Sequence, residues 1–234
     1  MPRAAEPFQF RTTLTLREAT GIRAVSLAQL LKYLRTAPDA VIYYHTHYYV
    51  LEHHYLAPEL PNDVAYWVAE VLGDKELGER LASVDTIQYA SIAALRERLV
   101  AVIEQHLESS PLVRLRTSTF TEAFHFIKAV SVVLATPYLA HTLEEFAQGL
   151  SSVTIASLYF HMFESRLRLR RGANDFSIWF QSLGEEALAR AVGSLDPYTH
   201  TMDELRQTIL ELVRERIAAR PTPAAPEAEH ASHP

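Results

Sequence analysis

The chain has no cysteine, which excludes disulfide frameworks, thiol nucleophiles, iron–sulfur clusters and every zinc site built on thiolates. His, Asp and Glu are left as the side chains able to hold a metal. Glycine is scarce, seven in 234 residues, and none falls in a phosphate-cradling pattern. Lysine is nearly missing, three against nineteen arginines, a bias that carries no function by itself. No stretch approaches the roughly 18 uninterrupted apolar residues of a membrane span, and Met1 to Pro7 lacks the apolar run of a secretory signal. The expectation is a cytoplasmic protein with no membrane partner. A net charge of −6, from 22 basic and 28 acidic residues, opposes a broad nucleic-acid surface. What is present, 48% hydrophobic and 21% charged residues in 26.5 kDa, is enough to bury a globular core in one large domain or two of roughly 100 residues.

Sliding the chain along itself exposes an order in that material. Phe8, Phe10, Ala19, Thr20, Leu27, Leu34, Tyr43 and His45 recur 116 positions later as Phe124, Phe126, Ala135, Thr136, Leu143, Leu150, Tyr159 and His161. After a four-residue shortening, Asn62, Asp63 and Trp67 match Asn174, Asp175 and Trp179; one further deletion aligns Leu72, Gly73, Leu77, Ser83 and Asp85 with Leu183, Gly184, Leu188, Ser194 and Asp196. A final slip pairs Leu95-Arg96 with Leu205-Arg206. The matches keep their order and include both tryptophans, which reads as an internal duplication.

Hydroxyl residues followed three positions later by Gln or Glu mark helix starts at Ser26, Thr119, Thr142 and Thr201. Helices are expected near 26–35, 39–57, 62–72 and 75–83, with counterparts near 142–150, 154–171, 174–183 and 185–193. Apolar stripes after Ser91 and Thr201 close each copy with an amphipathic helix. The opening from Phe8 to Leu16 alternates like a strand, but its counterpart follows the Thr119 capping pattern and runs on through Ile127, Ala129 and Leu134, so helix is favoured in both. The expected fold is therefore all-α, a tandem duplication of a roughly 100-residue helical unit packed with pseudo-twofold symmetry. Its parts are a disordered N-terminus (1–7), repeat one (8–107), a connection (108–118), repeat two (119–219) and a Pro-rich disordered tail (220–234).

The densest chemistry is Tyr43-Tyr44-His45-Thr46-His47-Tyr48-Tyr49-Val50-Leu51-Glu52-His53-His54-Tyr55, four histidines and five tyrosines in thirteen residues. On a helix His45, Tyr49, Glu52 and His53 share one stripe and His47 with His54 another, so His45 and His47 diverge. No His-X-X-X-His or His-Glu-X-X-His pair is present to grip a metal, and one would need Asp63, His161 or Asp175 to converge from elsewhere. Tyrosines and histidines at this density also make an ordinary half-buried helix face. Asn62-Asp63 and Asn174-Asp175 suit helix N-caps, worth about 1 kcal/mol each, with a binding role as the sharper alternative. Arg166-Leu-Arg-Leu-Arg170-Arg171 before Gly172 suits a helix C-terminus, with an anion patch as its alternative.

Ile42-Tyr-Tyr-His-Thr-His47, Pro58-Glu-Leu-Pro-Asn-Asp63 and Ala65-Tyr-Trp-Val68 resemble an uncharacterised bacterial and archaeal family classified as a domain of unknown function, over most of residues 8–217. The resemblance implies no reaction, cofactor or catalytic residue. The first functional expectation is a ligand-binding or assembly protein whose cleft is lined by Tyr44, His45, His47, Asn62, Asp63, Trp67, His161, Asn174 and Asp175, open to a polar small molecule, a glycan or a protein partner. The second is a hydrolase-like enzyme, possible with a metal, in which His45, His47 and Asp63 handle protons. Nucleic-acid binding comes third, opposed by the acidity.

Overall fold

A computed structural model describes residues 4–52, 61–89, 91–110, 113, 115–165, 167, 173–196 and 201–219. The expected connection therefore falls partly, the C-terminal tail and the Arg cluster around Arg170 almost wholly, outside the described residues, as do His53, His54 and Tyr55.

The all-α expectation is overturned. Two 17-residue strands, β1 (Phe8–Ala24) and β2 (Phe124–Ala140), pair antiparallel as a long two-stranded ribbon. The mixed α/β fold follows from the alternation of Phe8 to Leu16 and the β-branched run Val130, Val132, Val133, both of which suit a pleated surface better than a helix. The Thr119 pattern starts only a 3-10 turn, Phe120–Glu122, because the Thr119 hydroxyl bonds the Glu122 carboxylate at 2.6 Å and caps no backbone N–H.

Thr15 faces Ser131 at the centre of the ribbon, with their hydroxyls 2.8 Å apart. Toward each end the register shifts. Phe10 lies opposite Thr136, Pro137 and Tyr138, and Phe126 lies opposite Thr20, Gly21 and Ile22. Both bulges are pinned alike: the Thr136 hydroxyl donates to the Phe10 carbonyl at 2.8 Å and the Thr20 hydroxyl to that of Phe126 at 2.7 Å. Bulges of this kind bend and twist a ribbon locally. Gly21 takes a positive φ of 74° in its bulge, where the other bulge has Pro137, whose ring holds φ negative.

Each strand ends in helices. After β1 come α1 (Leu27–Thr36), α2 (Asp39–Tyr43), a π-helical turn (Tyr44–Tyr48) and α3 (Tyr49–Glu52). Then follow α4 (Asp63–Tyr66), a second π turn (Trp67–Val71), α5 (Lys75–Ala82) and α6 (Ile92–Ser109). After β2 come α7 (Leu143–Ser152), α8 (Ile155–Tyr159) and a third π turn (Phe160–Glu164). The chain closes with α9 (Asp175–Ser182), α10 (Glu186–Gly193) and α11 (Met202–Ala218). Ser26, Thr142 and Thr201 cap α1, α7 and α11 through their hydroxyls, as their spacing predicts.

Two apolar cores result, and the strands cross between them. Phe8 and Phe10, at the start of β1, are buried among Phe146, Leu158, Phe176 and Phe180 of the second half, whereas Phe124 and Phe126 are buried among Leu27, Leu30, Val64 and Val68 of the first. Ala24 and Ala140, at the strand ends, sit with their own halves. Each fully buried Phe contributes about 2 to 3 kcal/mol, so each core depends on side chains delivered from the other half of the sequence.

Candidate functional site

The π turn Tyr44–Tyr48 aims His45 at the strand entering from the second half. Its Nδ1 lies 2.8 Å from Asp63 Oδ2, and its Nε2 accepts the Ile127 backbone N–H at 3.0 Å. A backbone N–H can only donate, so Nε2 carries the lone pair and the proton resides on Nδ1, donated to the carboxylate. The arrangement recurs 116 residues on. His161 Nε2 accepts the Arg11 N–H at 2.8 Å, and its Nδ1 meets Asp175 Oδ2 at 2.8 Å. Both imidazoles are buried, and Asp63 (32% exposed) is wetter than Asp175 (17%). Aromatic rings close around them: Phe124 at 4.6 Å from His45, Phe8 at 4.8 Å from His161.

Asn62 and Asn174 are helix caps. Their Oδ1 atoms accept from Ala65 N and Ser177 N, each at 2.8 Å, and their amides donate to the Leu81 and Val192 carbonyls, each at 3.3 Å. Capping holds α4 and α9 so that Asp63 and Asp175, the first residues of these helices, face the imidazoles. Trp67 and Trp179 add a second tie to the incoming chain, donating to the Glu122 carbonyl at 2.8 Å and the Glu6 carbonyl at 3.4 Å.

The remaining candidates stand apart. His47 points away from His45, its Nδ1 3.0 Å from the Thr46 hydroxyl and its ring stacked on Tyr43. Burial pushes its pKa down to about 4, with the Thr86 backbone and Asp85 pulling the other way. The Tyr44 hydroxyl reaches Glu52 at 3.3 Å, and Glu52 pairs with Arg17 at 3.0 Å. Burial, aided by the Asp63 charge, raises the nearby Tyr49 phenol to about 12. Two pairs lie outside the sequence reading: Asp74 with His106 at 2.9 Å, both buried, and buried Glu185 with exposed Arg216. The only signal was an acid at the head of α5 and of α10 facing a base late in α6 and in α11, and that spacing is invisible without the packing.

The expected shared cleft is thus two separate clusters, His45 with Asp63, Asn62 and Trp67, and His161 with Asp175, Asn174 and Trp179. Among the described residues no group of three or more His, Asp or Glu side chains converges as a metal site. A cleft of about 500 Å³ opens beside the second cluster, walled by Glu6, Phe8, Gln9, Asp175, Ile178 and Trp179.

Residues 5–214 match the model of a family of unknown function, DUF5752, and the chain belongs to that family. Its fold is similar to the structure of OrfY from Thermoproteus tenax, at 29% identity and a TM-score of 0.78, over 93% of this chain and 98% of that one. No curated protein matches. Among the described residues no helix is long and apolar enough to cross a membrane.

Proposed function

We propose that this DUF5752 member is a binding and assembly protein in which the two His–Asp pairs bolt a strand from one half onto the helices of the other. One observation carries the reading: both nitrogens of His45, and both of His161, already hold a bond inside the fold, Nδ1 to a carboxylate and Nε2 to a strand amide. A general base or a metal ligand needs a free ring lone pair, and here using it breaks the attachment of β1 or β2. His47, the further residue of the hydrolase-like alternative, faces another way. The ligand-binding side of the reading rests on the cleft at Trp179, where an indole, a carboxylate and the strand entrance suit a polar small molecule, a glycan or a partner segment.

The test is long-range nitrogen–proton NMR of the imidazoles in tag-free protein, titrated with Zn²⁺ and Mn²⁺. His45 and His161 are expected as Nδ1-protonated rings whose signals do not move on adding metal. Stoichiometric metal-induced shifts at His45, or an Nε2-protonated ring, would restore the hydrolase-like reading with His45, His47 and Asp63.

A further inference from the structure

The ribbon has one face turned to the helices, whereas the other is touched at one end only, where the Thr12 hydroxyl lies 3.2 Å from that of Thr154 at the head of α8. Residues directly opposite one another on an antiparallel pair share a face, so Thr12 with Leu134, Leu14 with Val132, Leu16 with Val130 and Glu18 with Lys128 form four successive rows on the same side. Leu14 (55%), Leu16 (59%), Val132 (50%), Leu134 (47%) and Val130 (37%) are all exposed there. The other face carries buried Thr13 and Ala129. A contiguous aliphatic sheet face open to water marks an interaction site or invites aggregation.

We propose that this face is the contact surface for a second copy of the chain, stacked ribbon on ribbon about a twofold axis parallel to the strands. The proposal rests on the assembly reading above and gives it a surface. Charge decides the arrangement. The patch is apolar through Leu14, Leu16, Val130, Val132 and Leu134, carries the Thr12 hydroxyl at one end, and is charged only at the other, where Lys128 Nζ lies 3.1 Å from Glu18 on the neighbouring strand. Rotation about an axis along the strands places β1 of one copy over β2 of the other and leaves each row facing its own counterpart. Glu18 then faces the partner copy's lysine and Lys128 its glutamate, closing a ring of four alternating charges, while Leu14 and Leu16 meet valines. Rotation about an in-plane axis across the strands instead sets the charged row against the Thr12–Leu134 row, stranding a lysine on leucine. Stacked sheets lie about 10 Å apart, a gap that leucine and valine side chains fill from both sides. Four rows on two strands give a contact smaller than the roughly 800 Å² per partner of a standard interface, so the dimer is concentration-dependent.

Sedimentation velocity of the full chain over a wide concentration range tests this. The wild type is expected to pass from monomer to dimer, and Leu16→Glu to weaken association about a hundredfold or more with an unchanged unfolding midpoint, since Leu16 is exposed in the monomer. Glu18→Lys and Lys128→Glu should each weaken self-association about tenfold or more, and an equimolar mixture of the two should form a heterodimer. The pairing within one chain cannot be rescued by mixing, so recovery reports contact between chains. A wild type that stays monomeric throughout, a Leu16→Glu chain that associates normally, or a mixture that does not pair would each overturn the proposal. A monomeric wild type that binds a different protein through Leu16 would assign the face to that partner instead. None of these outcomes alters the imidazole spectra, so failure of the ribbon contact and failure of the bolt reading are told apart.

Discussion

The two histidine clusters share their polar bonds and the strand phenylalanines packed on each imidazole, and differ in the helix side chains behind them. Phe146, Phe176 and Phe180 surround the His161 side, where the corresponding positions on the His45 side hold Leu30, Val64 and Val68. Yet the imidazole, carboxylate and strand amide keep distances of 2.8 to 3.0 Å in both. Apolar contacts depend on filled volume and tolerate exchange of phenylalanine for leucine or valine when neighbours adjust; a bond that must satisfy a donor and an acceptor in one direction has no such substitutes. In the proposed reading the His–Asp pair and the strand phenylalanines together fix the strand's position, and the aromatic or aliphatic filling behind them is local.

Removing the bolts should show the largest difference between the halves. His161→Ala removes the bonds to the Arg11 N–H and to largely buried Asp175 and opens a hole among phenylalanines, a loss of about 3 kcal/mol. His45→Ala should lose nearer 2 kcal/mol, because Asp63 is better solvated. Urea unfolding of both variants measures the gap. If the reverse order is found, the carboxylate's burial does not set the cost.

The next contrast is between His47 and Phe163, which stands at the matching place in the second half. Free histidine titrates near 6.5 and folded His47 at about 4, so above 6.5 both states are neutral and the residue adds no pH dependence. As pH falls from 6.5 toward 4 the unfolded chain takes up a proton that the buried ring refuses, and stability drops by about 1.4 kcal/mol per pH unit. Below about 4 the loss levels off. His47→Phe should remove this part of the slope, seen by comparing urea midpoints of wild type and variant between pH 7 and pH 4.5; parallel profiles would mean that His47 does not stay neutral in the fold.

The sequence carried more of the site than of the fold. His45 with Asp63 and the capping asparagines were legible because their positions recur with a nearby tryptophan, and local rules assign a cap to Asn before a helix. The ribbon was not, for two reasons. The Phe8 to Leu16 alternation has a counterpart whose Thr119 pattern imitates a helix start, and β1 pairs with a strand about a hundred residues or more away, a distance at which local propensity says nothing. The bonds that define His45 and His161 end on Ile127 and Arg11, backbone amides that any residue type would present, so no side-chain pattern could reveal them. Histidine density alone therefore does not tell which ring nitrogen meets a carboxylate and which a backbone amide.

One sequence difference between the halves has a direct structural counterpart. Trp67 and Gly73 are six positions apart, but Trp179 and Gly184 are five, and both glycines adopt the left-handed conformation, φ 67° and 73°. The extra residue is absorbed as the π turn Trp67–Val71, whose Leu72 N–H reaches back five residues to the Trp67 carbonyl at 3.0 Å; in the second half Leu183 reaches back four to Trp179 at 3.3 Å. The widened turn brings Ala69 against α5 so closely that a Cβ on Gly78 would sit 2.5 Å from the Ala69 Cβ and 3.0 Å from its Cα. At the position matching Gly78 the second half already has alanine, Ala189. Gly78→Ala alone should therefore cost about 2 kcal/mol through forced displacement of backbone. Deleting exposed Glu70 restores the shorter spacing and should leave stability within about 1 kcal/mol of wild type, the smallest effect of the set. Combined, the two changes should cost less than their separate effects together, because the deletion withdraws the atoms the new methyl group strikes. A cycle of four chemical unfolding curves reads that coupling, and strict additivity would show that the π turn is not what keeps residue 78 a glycine.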